Sequence, residues 1–194
     1  MMDINANFLL KLKLIFSKPD ELFNILKKEK GIANAVITLL FASIIISGIK
    51  FIFSTFLFSF LSPKFNLGPF FSFYGGIGLL FSVFGFLIVS FIYSFLIFIF
   101  LMMFKVNAKY SETYKAFTYS IIPSVIFSII PFIGFLAIIY SIYLAIVGVA
   151  ILNYIPKRKA ILPVLLPLVV LIIIGIIIIL YLISQFLQGG GSIF

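Results

Sequence analysis

Cysteine and histidine are absent, and acid is scarce, with five Asp and Glu among 194 residues. The two absences exclude disulfides, thiol nucleophiles and most zinc, haem or copper sites, so no metal and no cofactor is expected. Charge of either sign is sparse as well: 10% of the residues are charged, against about a quarter in soluble domains. Water is therefore not the main solvent of this chain. The segment from Met1 to Ile15 lacks a long apolar core followed by a small-residue cleavage site, and no cleaved signal peptide is expected.

What is present is apolar. Hydrophobic residues make up 64% of the chain, and they come in long unbroken runs; a run beyond about 18 residues reads as a bilayer crossing. Five stretches stand out, Ile32 to Leu61, Phe70 to Phe104, Ala116 to Ile130, Phe132 to Asn153 and Ile161 to Leu187. The formal charge is +9, yet the lysines sit between these stretches, which speaks for orientation in a membrane and against a nucleic-acid partner. Six lysines (Lys11, Lys13, Lys18, Lys27, Lys28, Lys30) precede the first stretch, and Lys64 alone lies in the next gap. Lys105, Lys109 and Lys115 follow, then none near Pro131, then Lys157, Arg158 and Lys159, then none after the fifth stretch. Rich and poor gaps alternate as the positive-inside bias requires for five spans with the N-terminus in the cytoplasm and the C-terminus outside. The expectation is an all-α polytopic protein of the cell membrane, with a basic cytosolic segment at 1–31, a five-span domain at 32–187 and a short tail at 188–194. A re-entrant hairpin formed by the third and fourth stretches would leave the same gaps inside.

The cytosolic segment predicts two short helices. Phe8, Leu9, Leu12, Ile15 and Phe16 fall on one helical face flanked by Lys11 and Lys13, a pattern suited to the membrane interface. A second helix is expected from Ser17, a capping residue, with Pro19 in the tolerant first turn. Asp20 and Glu21 then lie at its positive end, and Lys27, Lys28 and Lys30 at its negative end. Pro19, Leu22, Phe23 and Leu26 are expected to form a contact face for a partner.

Lengths and spacings add detail. From Ile32, a core of about 30 Å is used up near Lys50 at about 1.5 Å per residue. Phe51 to Leu61 and Phe70 to Val83 are therefore expected to form an apolar outer hairpin, with Ser62 to Pro69 as its turn. Ser120, Ser124 and Ser128 recur every four residues, and Gly134, Ala137, Ser141, Ala145 and Gly148 make a small-residue stripe. Such faces let membrane helices approach closely, and these two are expected to meet across Pro131. Pro123, Pro163 and Pro167 predict bends.

Three segments carry a resemblance. They are Phe16-Ser17-Lys18-Pro19-Asp20-Glu21-Leu22-Phe23, the run from Tyr110 to Pro123 with Tyr119-Ser120-Ile121-Ile122-Pro123 at its end, and Ile139-Tyr140-Ser141-Ile142-Tyr143 leading to Gly148. In that order and spacing the chain resembles the Yip family, the Rab-GTPase-interacting membrane proteins of the secretory pathway and their bacterial and archaeal relatives. The resemblance implies five spans and a cytosolic N-terminus. Eukaryotic members carry a long cytosolic region before the first span, so the prokaryotic branch is the nearer likeness.

Few residues offer chemistry. Lys50 is a charge inside an apolar run, where an ammonium at mid-bilayer costs about 3 kcal/mol; snorkelling to the outer boundary is the simpler reading, and a Ser54–Lys50 dyad lacks an orienting group. Gly75-Gly76-Ile77-Gly78 has no Lys-Ser/Thr after it and reads as helix packing. Tyr119, Ser120, Ser124 and Tyr140, with Lys50, are candidates for an intramembrane polar site, and Tyr93 and Tyr143 could add to it. Glu112 is expected to pair with Lys109 or Lys115, or to receive a partner. No span contains Asp or Glu, so proton or cation coupling lacks its usual relay groups. The expected function is non-enzymatic: organising membrane or an unidentified membrane or cytosolic protein, with anionic headgroups at the basic residues and a homo-oligomer left open. A small-solute transporter or channel is the alternative.

Overall fold

The computed structural model describes residues 8–61 and 68–189. The expected turn at 62–67, the Ser54 side chain, the surroundings of Gly75 and Gly76, and residues 190–194 lie outside the described residues. Among the described residues there are seven helices: α1 (Phe8–Ser17), α2 (Pro19–Leu26), α3 (Ala33–Leu61), α4 (Gly68–Met103), α5 (Tyr110–Phe127), α6 (Pro131–Leu152) and α7 (Lys157–Gly189). Four segments are long and apolar enough to cross a membrane, Ala33–Phe53, Phe81–Met103, Phe132–Leu152 and Lys157–Gln185.

Against the five stretches read from the sequence, α5 is the exception. Its 18 residues carry Glu112 and Lys115 near the start, which lowers its hydropathy below that of its neighbours. It is instead the axis of the bundle: Thr113 to Ser120 are buried in one unbroken run, and α3, α4 and α6 all pack on it. With lipid no better a solvent for its polar groups than an alkane, a helix this polar must be wrapped by other helices. At the other extreme, α7 shows only 6% burial in its apolar segment, against 50% for α6. Its run of isoleucines from Ile172 to Ile179 is the surface that lipid covers.

The α5–α6 pair is antiparallel and close. Ser124 Oγ and Ser141 Oγ share a hydrogen bond of 2.7 Å, and an added Cβ on Gly134 would stand 3.1 Å from the Phe127 carbonyl oxygen and 3.6 Å from the Ser128 Cα. Ala137 offers its carbonyl to Ser124 at 3.2 Å, while Ala145 is buried in the core. Ser128 turns away and bonds its own helix through Val125 O at 2.6 Å. At the upper end, Gly148 meets α2 as well as α5: a Cβ there would come 2.6 Å from a Phe23 ring carbon and 3.2 Å from the Ala116 Cβ.

The two arms of the expected outer hairpin continue the membrane helices without a break. Both belong to continuous helices, α3 of 29 residues and α4 of 36, about 44 and 54 Å long at 1.5 Å per residue. The Gly75 to Gly78 run is helix interior, and Gly78 faces open space. Ser47 and Ser82 share a hydrogen bond of 2.6 Å where the two helices run together.

Several contacts gather the basic segments at one end. Lys157 pairs with Asp20 at 3.0 Å, the Lys109 amide donates to Asn153 Oδ1 at 3.3 Å, and the Lys27 ammonium lies 3.4 Å from the centre of the Tyr154 ring. The start of α5 and α7 and the end of α4 and α6 therefore share an end with α2. Helices α4 and α6 both stop in the same way: Lys105 and Tyr154 take left-handed φ of 57° and 56°. The following amides close the cap, Val106 N donating to Leu101 O at 3.0 Å and Ile155 N to Ala150 O at 2.9 Å.

Candidate functional site

The polar groups that stand out are buried where the N-terminal helices meet the bundle. Helix α1 buries Ile15 and packs Leu12 on the core, as its apolar stripe requires, but it buries one flanking lysine as well. Lys11 is buried, and Leu9, Leu10 and Phe16 are exposed. The reason is a partner that local periodicity does not contain: Lys11 Nζ lies 2.7 Å from Glu29 Oε1 and donates to the Tyr119 hydroxyl at 3.1 Å. Burial alone would lower the Lys11 pKa, but the hydrogen bonds to Glu29 and Tyr119 more than offset it and hold the ammonium above its ordinary value.

The direction of the remaining bonds follows from proton counting. Thr38 Oγ1 donates to the Asn34 carbonyl at 2.7 Å, which uses its one proton. The Tyr119 hydroxyl, 3.2 Å away, must then donate to Thr38. Lysine, tyrosine and threonine form one continuous chain from α1 through α5 to α3, each bond polarising the next. Asn34 Nδ2 adds a bond to Glu29 Oε2 at 3.3 Å.

Lys115 is the second anchor, with its side chain 1% exposed. Its ammonium donates to the Leu26 carbonyl at 3.0 Å and the Glu29 carbonyl at 2.9 Å, and lies 2.9 Å from Glu112 Oε2. Two of its three protons are donated to those carbonyls, and Glu112 is held as an ion pair. Leu26 ends α2, so its carbonyl belongs to the last turn, whose acceptors have no partner within the helix; a cation there also meets the negative end of the dipole. Tyr140 does the same for α1, donating to the Ile15 carbonyl at 2.7 Å. The bundle thus supplies a side-chain donor to a last-turn carbonyl of each N-terminal helix.

The expected contact face is corrected by this docking. Leu22, Phe23 and Leu26 have no exposed surface, because α6 covers them and the space left by Gly148 holds the Phe23 ring. Pro19 remains partly exposed at the start of α2. Glu112 is held by Lys115, as a pairing within its own helix.

The five candidates for an intramembrane polar site do not come together. Tyr119 and Tyr140 face the N-terminal helices. Ser120 bonds back to Ala116 O at 2.6 Å, and Ser120, Ser124 and Tyr93 line a cavity of about 240 Å3 between α4, α5, α6 and α7 whose other walls are mostly hydrocarbon. Tyr143 is exposed and stacks on Tyr140. Lys50 is half-buried on α3 beyond Ser47, away from the acids gathered at the basic end. Missed by sequence reasoning were Lys11, Glu29 and Lys115. A faint signal existed for Glu29, the one acid set within a cluster of lysines.

The family model of the Yip1 domain matches residues 13–193. The chain belongs to this family. The matched range takes in α2 and the whole of α3 to α6, so the Lys115 anchor lies within the Yip1 domain. With four helices among the described residues long and apolar enough to cross, this Yip1-domain chain is an integral membrane protein. No curated protein and no solved structure matches it.

Proposed function

We propose that this Yip1-domain protein is a non-enzymatic membrane scaffold that crosses the cell membrane five times and offers a cation-rich cytosolic platform to anionic headgroups and to an acidic membrane or cytosolic partner. Helix α5 makes the fifth crossing. That α5 starts at the basic end and α6 finishes there supports a traverse of the bundle between Lys109 and Pro131. About 27 Å of helix in α5 spans that depth, and the neighbouring helices shield its polar groups from lipid.

One observation carries the functional reading. Each described acid is held by a lysine of its own: Asp20 by Lys157, Glu21 by Lys18, Glu29 by Lys11 and Glu112 by Lys115. Lys28, Lys30, Lys105, Arg158 and Lys159 are left at the basic end with no acid partner among the described residues. Inside the bundle, Tyr119, Tyr140 and Ser124 are bonded within the chain, which leaves little for a transport path to use.

Photo-crosslinkers at Lys28 and Lys105 in intact cells test the platform. Both positions should capture the same partner, and a probe at Ile176 on the lipid-facing side of α7 should not. Equal capture from all three positions would contradict the reading.

A further inference from the structure

The basic end carries a cleft of about 680 Å3 between the α4–α5 and α6–α7 connections. Lys105, Arg158 and Lys159 line it, and so do Phe104 and Leu162. The described acids are already held by Lys11, Lys18, Lys115 and Lys157, so three cations converge on a space with no acid in its walls. Like charges brought together in this way repel one another unless an anion is shared between them.

Its position narrows the choice of anion. Phe104 and Leu162 are exposed and lie where α4 leaves and α7 enters the apolar layer, so the cleft opens at the depth of headgroups and continues onto a greasy wall. The backbone adds a second clue. Lys105 and Tyr154, the two described non-glycine residues in the left-handed region, both line this cleft. Glycine fits such a position most easily; here a cation and an aromatic ring occupy it instead, in the walls of one space.

We propose that this cleft binds the phosphate headgroup of an anionic glycerophospholipid of the cytosolic leaflet, with the acyl chains lying along Phe104 and Leu162. The site rests on the orientation proposed above for its leaflet, and its chemistry is a phosphate diester held by three cations. Each cation near an anionic headgroup is worth roughly a fivefold change in affinity, so removing all three should weaken binding on the order of a hundredfold.

The test is native mass spectrometry of the full chain, titrated in detergent with phosphatidylglycerol or phosphatidylcholine. The wild type should retain one phosphatidylglycerol in preference to phosphatidylcholine. The triple variant Lys105→Gln, Arg158→Gln, Lys159→Gln should lose that preference. A control variant, Lys18→Gln with Lys109→Gln, removes cations that neither line the cleft nor belong to the proposed platform and should keep it. Equal losses in both variants would reduce the effect to general surface charge and overturn the site. Displacement of the lipid by excess inorganic phosphate would assign the cleft to a soluble anion and overturn the lipid proposal. A wild type without preference for phosphatidylglycerol, but with intact crosslinking from Lys28, would sink this site and leave the scaffold standing; a preference lost in the triple variant, with no crosslinking from Lys28, would uphold the site and sink the scaffold.

Discussion

The Lys115 ammonium and the Glu29 carbonyl oxygen lie 2.9 Å apart across 86 residues of sequence. The same ammonium caps α2 and pairs with Glu112, so one buried side chain fastens the N-terminal helices to the bundle. Replacing it by the similarly shaped but uncharged methionine leaves two carbonyls and a carboxylate without their partner. Lys115→Met should weaken docking by about 3 kcal/mol, seen as protease cleavage between 18 and 31 in nanodiscs. Lys109→Met, at an exposed side chain, should change protection by less than about 0.5 kcal/mol.

Gly148 and Phe23 make a second, steric attachment. A methyl at 148 meets the Phe23 ring and the Ala116 side chain, and both are enclosed. Gly148→Ala should therefore destabilise the fold by about 1–3 kcal/mol, and Phe23→Leu in the same chain should recover part of the loss. Gly175→Ala, where nothing lies within 4 Å, should be neutral or slightly stabilising. Thermal unfolding in one detergent compares all four proteins.

How far this architecture can be read from sequence depends on the range of the interactions involved. Helices, membrane residence and family membership are written in local patterns, namely long apolar runs, lysine-rich gaps and three ordered segments. The face of α1 is not. Periodicity marks Lys11 as a flank of an apolar stripe, and only Glu29 and Tyr119, distant in sequence, make its burial favourable. Lys115 likewise reads as one more interfacial cation, because nothing nearby announces that the carbonyls of Leu26 and Glu29 will be its acceptors. The contact face expected on α2 fails for the same reason: an apolar stripe is equally suited to a partner and to the protein's own α6. Lys50 and the tyrosines were grouped by chemistry, yet the distances along α3 and α5 keep them apart.

Docking should also depend on alkaline pH. The folded pKa of Lys11 lies above the ordinary 10.5. A raised folded value means that the stabilisation is complete below the unfolded pKa and is lost as pH climbs through the folded one. Protease protection of the N-terminal helices should hold at neutral pH and fall only above about 10.5. In Lys11→Met protection should be weaker at neutral pH, and the alkaline step assigned to Lys11 should shrink; an undiminished step would assign the titration to another group.

The measurement that bears most directly on the central claim is the side of the membrane reached by each connection. The chain contains no cysteine, so single cysteines can be introduced without background and probed with a membrane-impermeant thiol reagent in sealed cells and in inverted vesicles. Cysteines at Asn24, Asn107 and Arg158 should react only from the cytosol, and those at Ile130 and Gln185 only from outside. Cytosolic labelling at Ile130, or outside labelling at Arg158, would show that α5 does not cross and would contradict the account.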